Sequence, residues 1–130
     1  MRFLFWLLAL WPITGFAGQL TPEEFERITE GRTLFYSNNG EVYGVERYLP
    51  DRRVIWSFDN GQCQDGIWYP RDGQICFIYE GIDPTPQCWV FEQGPSGLIA
   101  YFNGSTQSTQ LIETPDAGRE MTCLGPKVGV

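Results

Sequence analysis

The chain contains no histidine. That absence removes Ser-His-Asp and Cys-His catalysis, histidine-ligated zinc, copper and haem, and the simplest switch near neutral pH. Four cysteines are present, Cys63, Cys76, Cys88 and Cys123, but no two form a C-x-x-C pair, so a zinc cluster has neither its ligands nor its spacing. Positive charge is scarce as well, with nine Lys/Arg against sixteen Asp/Glu and a net charge of −7. Nucleic acids and anionic lipid surfaces are bound by clustered cations, so neither is an expected partner. Charges of both signs are scattered, which suits solubility better than a binding field. "DNGQCQD" lacks calcium-loop spacing. No metal and no cofactor is expected.

Arg2 followed by the nine-residue apolar run Phe3 to Trp11, the break at Pro12 and "GFA" ending at Ala17 follows the three-part grammar of a secretory signal peptide. The run falls short of the ~20 residues a spanning helix needs, so no stable membrane insertion is expected once it is cleaved. Residues 1–17 are therefore read as the signal and 18–130 as a single mature domain. Without Arg2 that domain carries eight cations against sixteen carboxylates. An even number of cysteines in an exported chain implies two disulfides, which leaves no thiol nucleophile.

"LTPEEFERITEGR" is the one stretch read as a helix. Thr21 caps it, Pro22 takes the first helical position, and Glu24 completes a capping box. Leu20 and Phe25 match a hydrophobic staple, and Gly31 supplies the left-handed stop. Phe25 and Ile28 share a face that two turns of helix must bury, most simply on the open end of a β-structure. Glu23, Glu24 and Glu26 resemble an acidic site, but carboxylates in a first turn favour the positive end of the helix dipole.

From Arg32 the period changes to two. Strands are expected at 32–37, 41–49, 54–58, 66–70, 73–80, 87–92, 98–102 and, weakly, 109–113. "NNG", "PDRR", "RDG" and "GPSG" are turn signals. In the second strand the alternation places Tyr43, Val45 and Leu49 on one face and Val42 and Tyr48 on the other; in the third, Val54, Trp56 and Phe58 share a face. Eight short strands about ten residues apart predict an all-β meander, closed as a small lipocalin-like barrel that leaves no free edge. A β-sandwich is the alternative. The tail after residue 113 has no period.

Cys76 lies in the fifth strand and Cys88 opens the sixth. A cross-strand Cys76–Cys88 bridge fits if the intervening loop adds a bulge, because bridged Cα atoms lie within ~7 Å. Cys63 then pairs with Cys123 and tethers the tail. Four cysteines allow two other pairings.

Five Trp, six Tyr and nine Phe serve either as core filling or as a pocket lining. An eight-stranded barrel is wide enough for side chains or one small ligand. Trp56, Trp68, Phe77, Tyr79 and Trp89 are the candidate lining, and the polar tips of Tyr43, Tyr48, Tyr69 and Tyr79 suit a partly wet pocket or an interface. Asp59 and Asp65 flank Cys63 and allow a carboxylate-pair hydrolase, although aspartates beside Gly and Asn are mostly turn formers.

"LTPEEFERITEGRTLFY", the spacing Cys63-x-x-Gly66-x-Trp68, "DGQICFIYE" and "QCWVF" resemble small secreted proteins of α-proteobacteria grouped as a domain-of-unknown-function family. The resemblance covers Leu20 to Phe102. It implies the barrel and an exported, Gram-negative compartment, and carries no activity. Cys63 and Cys123 look like additions to that family's two-cysteine pattern, which supports pairing them with each other. A weaker likeness, at the level of fold, is to bacterial lysozyme inhibitors and metalloprotease inhibitors.

The expected function is non-enzymatic binding by a monomer in the periplasm or outside the cell. Either a small apolar ligand sits in the barrel or a periplasmic protein sits at its loops. Inhibition of a cell-wall hydrolase or protease, through a loop at 81–86 or 94–97, is the second reading. An Asp/Glu-dependent hydrolase is the third.

Overall fold

A computed structural model describes residues 18–58, 61–81, 84–115 and 120–123. The signal-peptide reading of 1–17 and the reading of Asp59 lie outside the described residues. Among those described, eight strands follow one short helix: α1 (Pro22–Thr29), β1 (Thr33–Asn38), β2 (Glu41–Tyr48), β3 (Arg53–Phe58), β4 (Cys63–Arg71), β5 (Gln74–Tyr79), β6 (Gln87–Gly94), β7 (Gly97–Phe102) and β8 (Gln110–Thr114). Each strand pairs antiparallel with its neighbour in sequence, and β8 returns to β1, so the sheet closes into an up-and-down barrel. The β-sandwich alternative is set aside by that closing pair.

The turns form for the reasons legible in the chain. Asn39 and Gly40, with φ of 50° and 81°, join β1 to β2, and Asp72 and Gly73, with φ of 49° and 75°, join β4 to β5. Two successive left-handed residues twist a hairpin with the same hand as its strands. Thr21 caps α1 with the full reciprocal box to Glu24. The Thr21 backbone N–H, donating to the Glu24 carboxyl, is the main reason that carboxyl lies below its usual range.

Three seams of the barrel are short, with three register pairs each: β1–β8, β5–β6 and β7–β8. Where β5 and β6 part, the segment before the helix takes over. Gln19 bridges to Glu92, the Leu20 backbone N–H donates to the Phe91 carbonyl at 2.8 Å, and the Gln19 side-chain amide donates to the Gly73 carbonyl. Across the same seam Cys76 and Cys88 face each other directly and are bonded. The register there runs without a shift, so the bulge expected for this bridge is not needed. Cys63 and Cys123 form the second disulfide, with Cα atoms 5.3 Å apart, and tie the tail to the start of β4.

The core runs along the barrel axis. Phe25 is completely buried, and α1 lays it across one end. Its ring meets Trp68 edge-on at 5.1 Å, Tyr48 edge-on at 5.6 Å and Phe91 at 4.5 Å. The β2–β3 turn clamps the helix from outside. The Arg52 side chain pairs with Glu26 at 3.4 Å and sits over the Trp68 ring at 4.6 Å. Among the described residues no helix is long and apolar enough to cross a membrane. Two disulfides belong to a chain that matures under oxidising conditions.

Candidate functional site: an aromatic cup over a buried carboxyl

Alternate turns of the meander lie at opposite ends of the barrel. The β2–β3, β4–β5 and β6–β7 turns share the end that α1 closes. The β1–β2, β3–β4, β5–β6 and β7–β8 connections share the other end, where the interior opens as a cup. The two loops singled out as inhibitory are thus separated by the length of the barrel. Of the first, residues 81 and 84–86 are at the open end and residues 82–83 lie outside the described residues; the turn at 94–97 is at the closed end.

Of the five aromatics proposed as lining, Trp56, Phe77, Tyr79 and Trp89 line the cup. Trp68 does not. It lies under the helix against Phe25 and Arg52 and belongs to the closed end. Of the four tyrosines with polar tips, Tyr43, Tyr48 and Tyr79 line the cup, whereas Tyr69 pairs with Cys76 on the opposite side of the wall from Trp68. At the rim, Tyr43, Trp56 and Phe58 form a triangle of rings with centroids 5.4–6.0 Å apart. Phe77 and Phe91 make the floor between cup and plug, since both also contact Phe25.

Tyr43 reaches the cup by a departure from the simple period. Between Tyr36↔Gly44 and Ser37↔Val42 the β1–β2 register shifts, leaving Tyr43 as an extra residue on β2. Such a β-bulge re-aims one side chain. Tyr43 therefore joins Glu46 and Tyr48 in the interior and is not on the face of Val45, which corrects the alternation expected for this strand. Two glycines make room for the rings. A Cβ at Gly44 would collide with Trp56, and one at Gly66 would come within 2.7 Å of the Tyr79 ring.

At the base lies Glu46, 1% exposed. The Tyr79 hydroxyl donates to its Oε1 at 2.8 Å, while Oε2, equally buried, has no hydrogen-bond partner among the described residues. Burial holds this carboxyl well above the usual carboxylate range, and the Tyr79 bond only partly offsets that. Tyr36 and Tyr48 bond each other at 2.9 Å, and both phenols are raised, chiefly by desolvation. Tyr79 is raised too, first by desolvation and then by the neighbouring Glu46. The phenols thus remain neutral donors. Glu46 was not singled out from the sequence. The available signal was its place two residues before Tyr48, which puts a carboxyl on the face of a core tyrosine. Asp65 lies mid-strand in β4 and exposed, so it is neither the turn former expected nor part of the cup.

The cavity measures about 40 Å³ to water-sized spheres, and about 500 Å³ when all the empty space out to the solvent-filled mouth is counted. A single water needs roughly 10–15 Å³ on the first measure. The interior therefore holds a few waters or one small group, and side chains fill the rest. No family model matches the sequence, and no curated protein and no solved structure matches it.

Proposed function

We propose that this is an exported, non-enzymatic binding protein of a Gram-negative periplasm, made with a cleaved signal, whose aromatic cup receives one small, largely apolar group. The observation that carries the reading is the continuous ring-lined cavity, open at one end and limited to about 40 Å³. That volume speaks against a whole lipid of the kind a hollow lipocalin-like barrel carries. It favours a compact molecule or the protruding tip of a larger one. Among the described residues that line the cup the carboxyls reduce to Glu46, whereas glycoside hydrolysis by acidic residues uses two; this weighs toward binding over catalysis. Kinship with the small secreted α-proteobacterial proteins is part of the same proposal.

Native mass spectrometry of the protein isolated from its own host tests the reading. A small adduct that is lost when Trp56 is replaced by alanine is expected, and a bare mass under gentle conditions counts against it. Phe58, 41% exposed at the rim, favours a second reading, in which the tip belongs to a cell-wall hydrolase or protease that the protein inhibits. A pull-down from periplasmic extract that recovers no such enzyme discredits this second reading.

A further inference from the structure

The cup has a polar feature that an apolar occupant leaves unused. Glu46 lines the cavity, and its Oε2 is buried without a hydrogen-bond partner among the described residues. A buried polar atom without a partner is costly, and native structures normally pair it with protein, water or ligand. The same cup is lined by the rings of Tyr43, Trp56, Phe58 and Trp89, and aromatic π faces carry partial negative charge and attract cations. Among the described residues no Lys or Arg lines the cup, and the chain carries a net charge of −7.

We infer that the group received by the cup is a primary ammonium, whose N–H donors bond Glu46 Oε2 while its alkyl stem lies between the aromatic faces. The inference rests on the reading of the cup as a binding site and adds the chemistry of its occupant. An N–H-bearing cation satisfies the orphan oxygen and the ring faces at once. A quaternary ammonium satisfies only the rings, and an alcohol or hydrocarbon brings no charge to either. Among the described residues the titratable groups lining the cup with Glu46 are phenols: Tyr36 from β1, Tyr43 and Tyr48 from β2 and Tyr79 from β5. The other strands lining the cup present uncharged side chains. Because burial favours the protonated carboxyl, an ammonium binds with release of the Glu46 proton. Affinity therefore rises with pH until the amine itself deprotonates.

The test is calorimetric titration of the protein with n-butylammonium, n-butanol and n-butyltrimethylammonium, with tryptophan fluorescence reporting occupancy of the cup. n-Butylammonium is expected to bind at least about tenfold more tightly than the alcohol, since a desolvated cation adds a charge-assisted hydrogen bond to its π contacts. It should also bind more tightly than the quaternary ion and gain affinity between pH 5 and 8. Glu46→Gln, which preserves shape, should lose the preference for amine over alcohol and the pH dependence, whereas Trp56→Ala should weaken all three ligands. The wild-type pH profile is informative even if a variant folds poorly. Equal binding of alcohol and amine overturns the ammonium inference and leaves the cup standing as an apolar site. Binding of none of the three overturns both. A further arm with Nα-acetyl-lysine methylamide separates the sources: binding equal to n-butylammonium admits a lysine side chain of a protein, and loss of binding restricts the occupant to small amines.

Discussion

The two ends of the barrel are both built from aromatic rings, and they do opposite things with them. At the closed end Phe25 enters from outside the sheet and finds Trp68, Tyr48 and Phe91 on three sides. Every ring there is buried, and the Arg52 guanidinium lies over the Trp68 ring. At the open end Tyr43, Trp56 and Phe58 pack on one another but leave a gap, and a carboxyl lies beneath it with one oxygen unpaired. The difference is one short helix. A ring becomes core where something covers it and a candidate contact where nothing does. Aromatic content cannot make that distinction, so the sequence groups Trp68 with the cup.

The largest effect that would blur the comparison is loss of the plug. Phe25→Ala leaves a cavity among the rings under α1 and is expected to cost about 3–5 kcal/mol in denaturant unfolding. If the cost is under about 1 kcal/mol, the closed end is not the stabilising half. Next is the covalent tie at the open end. Replacing Cys63 and Cys123 with alanine frees a loop with a sequence separation of 60; the chain-entropy model sets this at about 4 kcal/mol, and the corresponding loss for Cys76 and Cys88 at about 3 kcal/mol. Thermal unfolding of the two double variants should rank them in that order.

Glu46 sharpens the contrast through pH. Its folded pKa is raised, so the folded state holds a proton that the unfolded state gives up near the ordinary value of 4.5. The stability from the buried neutral acid is complete below that value and is lost as pH rises toward the folded pKa. Wild type should therefore lose stability relative to Glu46→Gln at up to about 1.4 kcal/mol per pH unit above 4.5. Parallel stability curves for the two proteins would mean the carboxyl is not held neutral. The smallest effect is expected at the rim. Phe58→Ala should change stability by less than about 1 kcal/mol, because the ring is already 41% exposed, while weakening whatever the cup binds. A large destabilisation would mean the rim is core after all.

Local rules made much of the fold legible. The capping box at Thr21, the Asn39-Gly40 and Asp72-Gly73 turns and the period of two from Arg32 onward each act through neighbours in sequence, and each of the eight expected strands overlaps an observed one, although β4 begins at Cys63, three residues before its expected start. The cross-strand bridge was legible because a short loop forces β5 and β6 together. The bulge at Tyr43 was not, because a register shift is settled by two strands jointly and leaves no mark on either alone. Glu46 escaped notice because a charged residue in an alternating strand is ordinarily solvated. Its burial follows from the closure of the barrel around it.

The chain by itself determined a meander of eight strands, a capped helix with one apolar face and four cysteines that pair, since hydrogen-bonding patterns, dihedral preferences and thiol chemistry operate over short reach. Only the tertiary structure decided which end the helix covers, which rings remain open and that a carboxyl lies under them. Those outcomes depend on residues far apart in sequence competing for the same enclosed space, and packing resolves that competition only when the barrel closes.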